Sequence, residues 1–66
     1  MMGASLMEVK LLPYASLFLR TATPDDIEHE RQQLEAMHQC KLKEFRVTQE
    51  TRSGTRVTRV EWEIVE

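Results

Sequence analysis

Sixty-six residues leave room for one thin core, and a chain this short buries only about 60% of the surface its unfolded form exposes. A composition 41% hydrophobic and 30% charged, with a formal net charge of -2, excludes a disordered tail and a polybasic nucleic-acid arm. Cys40 is the only cysteine, so no internal disulfide can make up for the small core, and self-association is the expected support.

A single unpaired thiol suits a reducing compartment, which places the expected location in the cytoplasm. The longest apolar stretch, Leu11 to Leu19, is broken by Pro13 and Ser16 and is about half the ~20 residues a membrane-spanning helix needs. Met1-Met2-Gly3-Ala4-Ser5 carries no positive side chain, so no secretory signal is expected. Residues 1–5 are expected to be disordered, with Met1, Met2 and Met7 all open as the native start.

Residues 6–20 are rich in Val, Leu, Tyr and Phe, and Pro13 argues against a continuous helix, which predicts one strand with a bulge or two short ones. Strand alternation puts Leu11, Pro13, Ala15, Leu17 and Leu19 on one face and Leu12, Tyr14, Ser16 and Phe18 on the other. Both faces are apolar. One helix cannot cover both, so Leu12, Tyr14 and Phe18 are taken as the candidate self-interface or partner interface.

Thr23-Pro24-Asp25-Asp26 is a strong helix start: Thr23 can cap, Pro24 suits the first helical position, and Asp26 completes an acidic capping box. The predicted helix runs over residues 24–40, with Ile27, Leu34 and Met37 forming one apolar stripe. Its acidic residues gather near the start, and His38, Lys41 and Lys43 near the end, as the helix dipole favours.

Residues 42–65 alternate around Arg52-Ser53-Gly54-Thr55 and predict a β-hairpin with a two-residue loop. That loop sets Arg46 opposite Glu61, Val47 opposite Val60 and Phe45 opposite Trp62, with Phe45, Val47, Val60, Trp62 and Ile64 on the core face. It also sets Glu44 opposite Glu63, an unfavourable pair that a bulge near Val57 or a covering partner would relieve. The whole chain, residues 1–66, is therefore read as one small α+β domain of β-α-β-β order, one helix on a three-stranded sheet, completed by oligomerisation. The order of the strands in the sheet stays open.

Chemistry-bearing motifs are sparse. His29 and His38 fall on opposite sides of the helix, while His29 and Cys40 share a side but stand about 16 Å apart along it, so no metal site and no cofactor are expected. With Gly3 and Gly54 the only glycines, there is no phosphate-cradling loop. Trp62 and Phe45 read as core aromatics.

Three functional readings follow. The leading one is a non-catalytic macromolecular interaction module acting as a homo-oligomer, its partner a second copy or another protein. The second is a nucleic-acid binder using Arg46, Arg52, Arg56 and Arg59 on the hairpin, whose interspersed glutamates count against it. The third is a small oligomeric enzyme with a site between subunits near His38 or Cys40.

Overall fold

The computed structural model describes residues 9–65. The expected disorder of residues 1–5, the choice of starting methionine and the first residues of the predicted strand lie outside that range. The elements are β1 (Ser16–Leu19), α1 (Pro24–His38), β2 (Lys41–Arg52) and β3 (Thr55–Val65). They form one helix on a three-stranded antiparallel sheet of order β1-β3-β2, so β3 is the central strand and β2 is an edge.

The first apolar segment is two short pieces. Leu11 bridges to Glu63, a bend follows at Pro13 and Tyr14, and regular pairing resumes at Ser16, opposite Val60. Leu12 N–H donates to the Trp62 carbonyl at 3.1 Å, and Ile64 N–H donates to the Lys10 carbonyl at 2.8 Å, which ties the first piece to the same strand. Proline fixes its own φ and offers no N–H, so the ladder skips this point.

The helix begins as the sequence predicts. Asp26 N–H donates to Thr23 Oγ1 at 3.2 Å and Thr23 N–H donates to Asp26 Oδ2 at 2.9 Å, a complete capping box. It ends two residues before the predicted limit, because Gln39 takes a left-handed conformation with φ 54 and Cys40 N–H closes back onto the Glu35 carbonyl. Ile27 and Leu34 face the core, but Met37 is 69% exposed. Polar groups complete the inward edge of the helix. Glu35 Oε2 accepts from the Leu42 N–H at 2.8 Å and from Arg31 Nη1 at 2.6 Å, fastening the helix to the start of β2.

The core is Leu12, Leu34, Leu42, Val60 and Trp62, with Phe18, Ile27, Cys40 and Ile64 packed against it. Trp62 is fully buried, and its Nε1–H donates to Ser16 Oγ at 2.8 Å. The Ser16 hydroxyl donates in turn to Glu30 Oε2 at 2.9 Å, so the polar end of the indole is satisfied through a relay that links sheet to helix.

Ser53 and Gly54 have φ of 52 and 78, the two positive values a two-residue type I′ hairpin loop requires. Arg46 pairs with Glu61 and Val47 with Val60, as the loop predicts. Upstream of Arg46 the register shifts by one: Glu44 faces Trp62, and Phe45 is the extra residue of a bulge, not a partner of Trp62. The shift separates Glu44 from Glu63 and brings Lys43 opposite Glu63, with Nζ and Oε1 3.6 Å apart. The relief of the like-charge pair thus comes at Phe45 and not near Val57. Phe45 is displaced outward, 39% exposed, with the Arg46 guanidinium 5.5 Å from its ring centre.

Candidate functional site

Residues opposite one another in the ladder share a face of the sheet, which sorts every strand residue. Ser16, Phe18, Val60, Trp62, Ile64, Leu42 and Val47 lie on the face that the helix partly covers. Leu11, Leu17, Leu19, Val57, Arg59, Glu61, Glu63, Lys43, Arg46, Thr48, Glu50 and Arg52 lie on the other, which no element covers among the described residues.

This placement exchanges the two faces of the first segment. Leu12 is a core residue and Phe18 packs against the core, so the face expected to meet a partner is the one under the helix. Of the three expected interface residues only Tyr14 is well exposed, and its hydroxyl lies 2.7 Å from His38 Nε2, at the end of the helix. On the open face the exposed apolar residues paired in the ladder are Leu17 at 47%, Leu19 at 61% and Leu11 at 39%, with Val57 buried between its ladder partners Leu19 and Glu50. A segment apolar at both parities gives no local sign of which side the helix will take.

Beside that apolar strip the open face is charged. Arg52 lies 3.1 Å from Glu50, Arg59 lies 3.8 Å from Glu50 and 2.8 Å from Glu61, and Arg46 lies 3.6 Å from Glu61. The row continues to the Lys43–Glu63 pair. Three of the four arginines considered for nucleic acid are therefore brought together on one face but already held by carboxylates. Arg56 falls on the other face and joins no ion pair among the described residues. Glu61 Oε1 is buried without a hydrogen bond, with the Arg46 Nε 3.6 Å away.

A second charged group lies on the helix. Arg31 donates from Nε and Nη2 to Glu28 and from Nη1 to Glu35. Hydrogen bonding from Arg31, then from Gln32, holds the Glu28 carboxyl down to about 2, and the same contact raises the Arg31 guanidinium above its usual value. Glu28 is exposed, whereas Arg31 and Glu35 are partly buried, so the group runs from the solvent side of the helix to its contact with β2.

His29, His38 and Cys40 do not converge. His29 Nε2 meets the Gln33 side-chain amide at 3.1 Å, His38 meets Tyr14, and the Cys40 thiol is partly buried against the core. No group of three metal-binding side chains, no pocket, and no helix long and apolar enough to cross a membrane occurs among the described residues. Compared with protein-family models, with curated proteins and with solved structures, the chain matches none.

Proposed function

We propose that this chain is a non-catalytic macromolecular interaction module that acts as a homo-oligomer, its open sheet face meeting a second copy. The observation that carries the reading is the strip of Leu11, Leu17 and Leu19 on the side of the sheet away from the helix. Apolar side chains grouped on one uncovered face are a site for another surface, whereas scattered ones need no explanation. The lone thiol of Cys40 fits a cytoplasmic setting.

Nucleic-acid binding is the weaker reading, since a phosphate would have to displace Glu50 or Glu61 from Arg46, Arg52 and Arg59 before using them. Light scattering across a dilution series tests the leading proposal. The native chain is expected as a dimer or larger, and Leu17→Glu with Leu19→Glu is expected to lower that mass while the far-UV circular dichroism stays unchanged. A native chain that is monomeric throughout, or a variant of unaltered mass, overturns it.

A further inference from the structure

The free edge of β2 offers a second self-contact, and its charge order specifies a register. Beyond the bulge, residues 46–52 have β3 on one side and, among the described residues, no strand on the other. Such a row of open backbone groups is a template for another strand. The pair closing a two-residue hairpin loop, here Arg52 and Thr55, exchanges backbone hydrogen bonds. By alternation Glu50 and Thr48 turn their N–H and C=O groups toward β3, while Val47, Gln49 and Thr51 turn theirs outward.

Two copies can pair antiparallel along this edge only where outward-turned residues meet outward-turned residues. One such register is centred on Thr48, with Val47 opposite Gln49. It sets Arg46 of each copy opposite Glu50 of the other and Thr48 opposite its own copy. Moving two residues toward the hairpin tip sets Arg46 opposite Arg52, and four residues sets Glu50 opposite Glu50. Moving two residues the other way leaves Arg46 opposite Thr48, and four residues sets Arg46 opposite Arg46. Only the Thr48-centred register places opposite charges across the seam, and directly opposed like charges destabilise a pair of strands.

We infer that two copies of this chain join through the outer edge of β2, antiparallel and centred on Thr48, making one continuous six-stranded sheet. The stagger leaves the helix-bearing start of β2 beyond the hairpin tip of the other copy, so the helices do not obstruct the seam. The inference rests on the homo-oligomer reading and extends it. Edge pairing turns about an axis perpendicular to the sheet, and face-to-face stacking turns about an axis lying in it. The two contacts are therefore compatible in one closed assembly of four copies.

The test uses the full chain with Cys40→Ser, so that any disulfide must come from a placed thiol. Across this seam the Cα atoms of Thr48 and its copy would stand about 4.5 Å apart, within disulfide range. Those of Thr51 and its copy would stand about 20 Å apart. Thr48→Cys is expected to cross-link under mild oxidation and Thr51→Cys is not. In the otherwise native chain, Gln49→Pro, which removes an outward N–H without breaking the β2–β3 ladder, is expected to halve the mass. An oligomer in which Thr48→Cys does not cross-link in preference to Thr51→Cys overturns the edge contact and leaves the homo-oligomer reading standing. A monomer at every concentration overturns both.

Discussion

Val47 and Val60 are the same residue, face one another across the β2–β3 ladder and share one face of the sheet, yet Val60 is wholly buried and Val47 is 50% exposed. The two mark the border between two halves of one hairpin. The base, around Leu42, Val60 and Trp62, is held by burial under the helix and the first segment. The arm, from Arg46 to the Ser53-Gly54 loop and back to Thr58, is held by the turn, the backbone ladder and a row of ion pairs. Twelve residues of strand span about 40 Å, which accounts for most of the 49 Å long axis against 25 and 17 Å across. A chain of this size lacks the apolar side chains to cover a hairpin that long, so the arm is built from interactions that tolerate water.

The largest effect expected from this contrast is at Trp62. Trp62→Ala removes about 3–5 kcal/mol, comparable with the whole stability of so small a domain. The variant should show no cooperative urea transition. A transition near that of the native chain would mean that the base is not the seat of stability. Val60→Ala should cost about 2 kcal/mol, and Val47→Ala no more than about 0.5 kcal/mol. Equal losses for the two valines in paired urea titrations would erase the distinction between base and arm, unless the loss at Val47 falls on dilution and so reports an intermolecular contact.

A smaller effect is expected at the loop. Gly54 has φ 78, and an added Cβ there meets nothing within 4 Å, so Gly54→Ala costs backbone strain alone, about 1 kcal/mol. Thermal unfolding should report that loss without change in the base, where Trp62 near-UV circular dichroism provides a local signal. The smallest effect concerns acid. The Glu28 carboxyl is held below its unfolded value of 4.5, so its contribution is complete above that value and is lost as pH falls toward about 2. Solvent screens this exposed group, and Glu28→Gln should flatten the low-pH limb of the stability curve only slightly. A steeper limb in the variant would reverse the sign.

The sequence made some of this legible and hid the rest for identifiable reasons. The helix start and the hairpin loop were readable because each depends on four neighbouring residues, Thr23 to Asp26 and Arg52 to Thr55. The pairs Arg46–Glu61 and Val47–Val60 followed by counting from the loop. Counting failed at Phe45, because a bulge costs little locally and is chosen by what it brings together across strands. The conflict between Glu44 and Glu63 was visible, but its remedy was not. The inner edge of the helix was misread at Met37 because the tie to β2 is polar, made by Glu35 and Arg31. The open face was missed because Leu17 and Phe18, adjacent in sequence, are equally suited to either side, and only the position of the helix decides between them.

The spare residue at Phe45 acts on the strand as a phase shift. Upstream of it the odd-numbered Lys41 and Lys43 point to the open face, and downstream the even-numbered Arg46, Thr48, Glu50 and Arg52 do. Leu42 and Val47, an odd number of steps apart, can then share a side, and one strand serves two alternation frames. Removing Phe45 would merge the two frames, since Glu44 and Arg46 would become neighbours opposite Trp62 and Glu61 in an unbroken ladder with Leu42 still inward. Forcing Phe45 into regular pairing would instead act like a change of reading frame, turning residues 41–44 inside out and setting Leu42 against the solvent.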